Sequence, residues 1–211
     1  MTYHCAPKFA LMVVASIESI AVLISGCGGS QGSSATHASS SISGSVLGSP
    51  FLPKDAIVTT TQDWKSGFYP GTSTVLLISD WSGLCASIQS NVTPVNSRLV
   101  IVNLAETSQV SAQPVVDAGT YEVVTDYGDL SKPKVATAYS SAVDAQCGFS
   151  KGFGTTGTVD VTSVDSGGLS LDGSLSLTYS NGDSLTGNYS VSATCPMAYV
   201  DKYLNGSPVC P

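Results

Sequence analysis

Strict alternation of apolar and polar residues in the last third of the chain constrains its fold more than any other feature. Odd-numbered positions in residues 169–179 carry leucine, glycine or tyrosine, while the even-numbered positions carry serine, threonine or aspartate. Residues 185–193 repeat this pattern after an Asn-Gly turn at 181–182. Residues 157–164, which precede both segments, are rich in β-branched residues. A period of two is that of a β-strand with one buried and one solvated face, and Asn-Gly favours a tight hairpin. The C-terminal third is therefore predicted to be an antiparallel meander.

Shorter runs rich in β-branched residues predict further strands before this meander. They lie at residues 42–47, 56–61, 74–79, 98–104, 119–124 and 135–143. Helical spacing occurs at residues 81–90, where Leu84 and Ile88 are four positions apart and Asp80 or Ser82 is a candidate cap. About nine short strands with at most one short helix predict an all-β fold. We expect an antiparallel β-sandwich, which we favour, or a small β-barrel.

The N-terminal region has the layout of an export signal. Lys8 precedes an apolar run over residues 9–24, which Glu18 interrupts. A Gly/Ser/Thr/Ala tract then extends to residue 40 and shows no apolar periodicity. The apolar run favours a cleaved signal peptide over a permanent anchor, because a membrane-spanning helix needs about 20 predominantly apolar residues.

The end of that run, Leu23-Ile24-Ser25-Gly26-Cys27, resembles a bacterial lipobox, in which an aliphatic residue and two small residues precede a cysteine. The resemblance implies that the Cys27 thiolate takes a diacylglyceryl group and becomes the first residue of the mature protein. Its acyl chains, palmitate among them, would then anchor the protein to a membrane. Gly28, where lipoproteins kept in the inner membrane more often carry aspartate, implies the outer membrane. An ordinary cleaved signal and an uncleaved anchor are the alternatives.

The chain is thus predicted to have three parts. Residues 1–26 form the signal peptide, residues 27–40 form the lipidated cysteine and a flexible tether, and residues 41–211 form a single β-rich domain. The pattern Gly-Ser-Leu-Ser-Leu-Thr-Tyr, Asn-Gly-Asp and Cys195-Pro196 in the last third is similar to uncharacterised β-rich envelope lipoproteins of bacteria. That similarity implies a location in the cell envelope and transfers no activity.

Four cysteines fall in the predicted domain: Cys85, Cys147, Cys195 and Cys210. An even number of cysteines in an exported domain indicates disulfides, two in this chain. No pair has Cys-x-x-Cys spacing and no histidine lies near them, so we predict neither a metal site nor a cofactor. Three pairings are open, and we favour Cys85–Cys195 with Cys147–Cys210.

Charge and histidine content argue against several classes of function. The chain carries a formal net charge of −7, whereas nucleic-acid binding needs clustered Lys and Arg. Both histidines, His4 and His37, lie before the predicted domain. The domain thus lacks the usual general base and the means for Ser-His or Cys-His catalysis. We predict that the protein is not an enzyme and does not bind nucleic acid.

Carboxylates and aromatic residues are the remaining candidates for a functional site. Loop acids could act as a hydrolytic pair, and turn acids could bind calcium, although solvated turns are the more frequent role of both sets. The loop acids are Glu122, Asp126 and Asp129, and the turn residues are Asp165, Asp172, Asn181 and Asp183. Aromatic residues could contact a sugar or a protein partner, although packing at strand ends is their more frequent role. These are Trp64, Phe68, Tyr69, Trp81, Phe149, Phe153, Tyr199 and Tyr203.

Three functions are consistent with these features. The first is a lipid-anchored envelope domain with a non-enzymatic binding or structural role, whose partners would be the membrane and an envelope protein or glycan. The second is a lipocalin-like carrier of a small apolar ligand inside the β-structure. The third is a carboxylate-dependent glycan hydrolase. We favour the first.

Overall fold

A computed structural model describes residues 38–61, 73–106, 116–125, 132–206 and 209–211. These ranges contain eleven strands and two helices. The strands are β1 (Ala38–Ser40), β2 (Ser43–Val46), β3 (Ser49–Pro50), β4 (Asp55–Thr61), β5 (Ser73–Ser79), β6 (Ser97–Glu106), β7 (Gly119–Val123), β8 (Lys134–Val143), β9 (Phe149–Val164), β10 (Leu171–Tyr179) and β11 (Ser184–Val191). The helices are α1 (Leu84–Ser90) and α2 (Met197–Asn205). The predicted signal peptide, the tether up to residue 37 and Cys27 lie outside the described residues.

The strands form a single open sheet. Its order is β3-β2-β11-β10-β9-β7-β8-β6-β5-β4, with β1 also paired to β11 and β8 also paired directly to β9. Neighbouring strands are antiparallel except β7 and β8, which are parallel. The edge strand β4 also contacts the chain just after β11, where the Val58 amide donates to the Ala193 carbonyl over 2.8 Å. The all-β prediction is confirmed. The strands form one curled sheet that does not close into a barrel. The two stacked sheets of the sandwich that we favoured are not what the described residues form.

The inner face of the curled sheet holds the main core. The predicted alternation places Leu171, Leu175, Leu177 and Tyr179 there, each at most 2% exposed. Tyr121 of β7 lies among them and is fully buried. Period-two patterning in the meander therefore specified which face packs inward. Leu169 was expected on the same face but is exposed. Residues 165–170 form the turn before β10, and in it the Leu169 amide donates to the Asp165 carboxylate.

Two glycines of the meander, Gly173 and Gly187, lie where neighbouring backbone approaches the strand closely. The β9–β10 pairing shifts register between Asp172 and Gly173, and a Cβ atom at Gly173 would lie 1.9 Å from the Asp160 carbonyl oxygen. Gly187 has φ +145°, and a Cβ atom there would lie 2.5 Å from the Ser41 carbonyl oxygen. Neighbouring backbone thus occupies the space that a side chain would need, which lets the sheet curl over its core.

A second core covers the outer face of β4, β5 and β6. Ile57 and Leu77 point outward there and pack in one cluster with Leu84 of α1 and Val200 of α2. This double burial explains why the sequence of β5 is apolar without alternation. Because α2 is a second helix, the expectation of at most one short helix was wrong. The segment from 197 to 205 is short, and its helical spacing rests on two buried residues, Val200 and Tyr203.

Helix α1 begins later than its sequence indicated. Neither Asp80 nor Ser82 caps it, since the N-cap residue is Gly83 with no side-chain cap bond of its own. Instead, the Asp55 carboxylate of β4 accepts hydrogen bonds from the Gly83 amide at 2.9 Å and the Leu84 amide at 2.8 Å. A residue distant in sequence thus satisfies the free amides at this helix end.

Two disulfides join the favoured cysteine pairs. Cys85 of α1 bonds to Cys195, which lies between β11 and α2, and their Cα atoms are 5.5 Å apart. Cys147 in the β8–β9 turn bonds to Cys210, with Cα atoms 6.1 Å apart. The first disulfide fixes both helices to the second core. Among the described residues, neither helix has the length and apolar character needed to span a membrane.

Candidate functional site

A groove of about 240 Å³ lies on the outer face of β6, β8 and β9, beside the C-terminal end of α2. We call it the aromatic groove. Its floor includes Ile101, Asn103, Tyr139, Phe149, Lys151 and Phe153, and its wall is the last turn of α2 with Gly206 after it. No carboxylate is among its lining residues.

Strand register creates the floor of the groove. Ile101 of β6 lies opposite Tyr139 of β8, which lies opposite Phe153 of β9, so that three large side chains form one row across the sheet. The helices cover the outer face of β4 to β6, and Tyr203 belongs to that second core. The groove lies where this cover ends, and so the outward side chains of β9 stay accessible.

The distribution of residues on β9 is the reverse of that on a strand built only for packing. Phe149 and Phe153 point outward and are 46% and 54% exposed. Gly152 and Gly154, on the same segment of β9, face inward and are buried. A Cβ atom at Gly152 would lie 2.6 Å from Ser140 Oγ, and one at Gly154 would lie 2.7 Å from Ala138 Cβ. The large apolar side chains of this segment therefore serve the surface rather than the core.

The exposed rings have defined neighbours. The Phe153 and Tyr139 rings pack edge to face, with centroids 5.6 Å apart and an interplanar angle of 76°. This geometry fixes the orientation of the Phe153 ring while leaving about half of it exposed. The Lys151 ammonium lies 5.8 Å from the centroid of the Phe149 ring. Such a ring provides a flat, oriented apolar surface for a ligand.

Asn103 is the buried polar residue of the groove. Its side chain is 1% exposed, and its Nδ2 donates to Thr137 Oγ1 over 3.2 Å. Its Oδ1 has no hydrogen-bond partner in the structure. A buried acceptor without a donor destabilises a protein by about 1–3 kcal/mol. Because Asn103 lines the groove, a ligand hydroxyl or N–H group that reached this atom would satisfy it.

The carboxylates predicted from the sequence do not assemble into a catalytic pair in the described residues. Glu122 is exposed and forms an ion pair with Lys132. Asp126 and Asp129 lie outside the described residues. In the part of the chain that the structure describes, no group of three or more His, Cys, Asp or Glu side chains could hold a metal ion. The hydrolase and calcium hypotheses therefore gain no geometric support here.

The turn acids bond to neighbouring backbone and hydroxyl groups. The Asp165 carboxylate accepts from the Leu169 amide at 2.6 Å and the Ser170 amide at 2.9 Å. Hydrogen bonds from Ser163 and then Ser190 hold the pKa of Asp172 below its usual value. These contacts are those of turn and strand residues, which matches the more frequent role predicted for this set.

Of the other predicted aromatic residues that the structure describes, only Tyr203 lines the groove. Trp81 is buried, and its indole N–H donates to Ser87 Oγ over 3.1 Å. Tyr199 is exposed on α2, whereas Tyr203 is buried with its hydroxyl 2.6 Å from Thr93 Oγ1 and contributes to the groove wall. Trp64, Phe68 and Tyr69 lie outside the described residues.

Sequence reasoning found Phe149 and Phe153 but missed Asn103, Tyr139 and Lys151. The available signal was the alternation of Phe149, Lys151 and Phe153, which is typical of one face of a strand. Glycines at 148, 152 and 154 concealed it, because glycine disfavours strands. The predicted strand therefore began at residue 157, whereas β9 begins at Phe149. No local pattern could have brought Asn103 to the same place.

Comparisons of the chain with protein-family models, curated proteins and solved structures gave no match.

Proposed function

We propose that this protein is a lipid-anchored domain of the bacterial cell envelope that binds a ligand, without chemical turnover, in the aromatic groove. The observation that carries the proposal is the distribution of side chains on β9, where Phe149 and Phe153 face outward and glycines face inward. Exposed, oriented rings stabilise a complex when they are covered and contribute little to the core when they are not. The resemblance of residues 23–27 to a lipobox supports the anchor on Cys27, and Gly28 after it supports a location in the outer membrane.

Two further features support binding rather than catalysis. The buried Asn103 Oδ1 has no hydrogen-bond donor, and this favours a ligand with polar groups in a groove that is otherwise mostly apolar. Both histidines of the chain precede residue 38, and the groove lining contains neither an acid nor a histidine. A general acid or base for hydrolysis would therefore have to come from elsewhere.

A lipocalin-like carrier would instead place its ligand inside the curled sheet. The described inward side chains pack there as one buried cluster that includes Phe51, Tyr121 and Tyr189. The outer groove has open, ring-lined space, and we therefore place the ligand site on the outer face. The carrier hypothesis and the glycan hydrolase hypothesis remain predictions from the sequence alone.

Photo-crosslinking in living cells tests the proposed site. Phe153 of the full chain is replaced by benzoylphenylalanine, which keeps an aromatic ring at the groove and reacts with whatever lies against it. The matched control carries the same analogue at Leu52, which is 68% exposed and does not line the groove. We expect a discrete adduct at position 153 and only scattered labelling at 52. Equal, scattered labelling at both positions would overturn the proposal.

A further inference from the structure

We propose that the ligand of the aromatic groove is an acidic glycan whose uronic-acid residues stack on Phe153 and pair with Lys151. This inference rests on the proposed function and adds the chemical class of the ligand. The groove offers three kinds of contact that such a sugar needs: a flat apolar surface, a buried hydrogen-bond acceptor and an ammonium group.

The ring surface suits one face of a sugar. A pyranose in its chair form presents axial C–H groups on a face and hydroxyls around its rim. The half-exposed Phe153 ring, held edge to face by Tyr139, is a surface against which those C–H groups can pack. Phe149 lies four residues away on the same strand, about 13 Å along it. That separation fits a chain of linked sugar rings better than a single ring.

The polar contact favours a ligand with hydroxyl donors. Asn103 Oδ1 is a buried acceptor with no partner, two positions along β6 from Ile101 in the row of Tyr139 and Phe153. A sugar that lies on the Phe153 ring presents its rim hydroxyls toward this end of the groove. A purely apolar ligand such as an acyl chain would leave Asn103 Oδ1 as it is in the free protein and would gain no hydrogen bond there.

Charge selects an acidic sugar over a neutral one. Lys151 lies between Phe149 and Phe153 on β9, and among the described residues it forms no ion pair. Lys151 is the only charged residue among those that line the groove, and no carboxylate lies among them. An anionic group on a ligand in the groove would therefore meet a cation and no lining anion.

Calorimetric titration of the full chain in detergent tests this inference with two probes. The first probe is an α-1,4-linked galacturonate tetramer, and the second is its fully methyl-esterified form, which keeps the rings and removes the charge. We expect the acid to bind at least tenfold more tightly than the ester. Phe153→Ala should weaken binding of both probes by about tenfold, the effect of losing about 1.4 kcal/mol of ring contact. Tyr199→Ala, an exposed aromatic outside the groove, is its control and should change neither.

Two further variants separate the contacts. Lys151→Met should abolish the preference for the acid while leaving binding of the ester unchanged, and Lys54→Met, another exposed lysine, is its control. Asn103→Leu, close in size, removes the acceptor that lacks a partner together with the Nδ2 bond to Thr137 Oγ1, and should weaken binding of both probes several-fold. Melting curves of every variant show that loss of binding is not loss of folding.

The possible outcomes distinguish this inference from the proposed function. Equal binding of both probes, sensitive to Phe153→Ala but not to Lys151→Met, would overturn the acidic assignment and keep the groove as a binding site. If neither probe binds, the glycan inference is overturned. The crosslink at position 153 then decides on its own whether the groove binds another ligand. A protein adduct at that position would assign the groove to a protein partner.

Discussion

Asp183 shows how a single carboxylate can join two turns that are far apart in sequence. It follows the Asn-Gly turn between β10 and β11, and its Oδ2 accepts from the Gly48 amide at 2.7 Å and from Asn181 Nδ2 at 2.6 Å. Its Oδ1 accepts from Ser45 Oγ. The β10–β11 turn is thereby attached to the turn between β2 and β3.

This arrangement predicts a dependence of stability on pH. Burial raises the pKa of Asp183, but the hydrogen bonds from Ser45, Gly48 and Asn181 outweigh it and hold the pKa below its usual value. A carboxyl whose folded pKa is depressed contributes stability above its unfolded pKa, near 4, and loses it as pH falls through the folded pKa. We expect Asp183→Asn to lower the free energy of unfolding by about 1 kcal/mol at pH 7. The difference in free energy of unfolding between the wild type and Asp183→Asn should disappear as the pH falls from about 5 to about 2.

Urea unfolding at several pH values measures the effect. Glu122→Gln, which removes only a surface ion pair, is the control and should change the free energy of unfolding by less than about 1 kcal/mol. If Asp183→Asn and the wild type kept the same difference in stability at pH 7 and pH 2, Asp183 would not be the titrating group.

Strand β9 carries the argument at the scale of the element. Its inner glycines admit Ala138 and Ser140 of the neighbouring strand β8, and its outer residues supply the groove. Gly154→Ala should lower the free energy of unfolding by about 1–3 kcal/mol, because the added methyl group would lie 2.7 Å from Ala138 Cβ in a packed interior. The conformation of Gly154 is not a left-handed one, so this test isolates the steric effect.

Thermal unfolding of Gly154→Ala beside Thr156→Ala provides the measurement. Thr156 is exposed on the same strand and should tolerate alanine within about 0.5–1 kcal/mol. A Gly154→Ala variant as stable as the wild type would show that β9 and β8 are not packed as closely as described.

The two disulfides should differ in their contribution. Cys85–Cys195 spans 110 residues and links α1 to the entrance of α2, with Cys195 only 3% exposed. Cys147–Cys210 spans 63 residues and ties an exposed turn to the C-terminal tail. Replacing the first pair by serine should lower the free energy of unfolding by about 3–5 kcal/mol, and replacing the second by about 2–3 kcal/mol. Denaturant unfolding of the two double variants tests this order, and the reverse order would contradict it.

At the scale of the whole molecule, local patterns in the sequence determined much of the fold but not the site. Alternation from Leu171 to Tyr179 predicted the inner face, and the even set of cysteines predicted two disulfides. Sequence could not show that Asp55 would satisfy the start of α1, since they are brought together only by the sheet. For the same reason, the meeting of Asn103, Tyr139 and Phe153 depends on which of three separate strands pair with one another, and no local pattern shows that.

The whole molecule is proposed to act as a binding domain held at a membrane by a lipid on Cys27, with the aromatic groove facing its ligand. Intact mass measurement of the protein extracted from its own membrane tests this account most directly. The predicted mass begins at Cys27, includes added acyl chains, and lacks four thiol hydrogens for the two disulfides. A mass that retains residues 1–26, or an unmodified Cys27, would contradict the account.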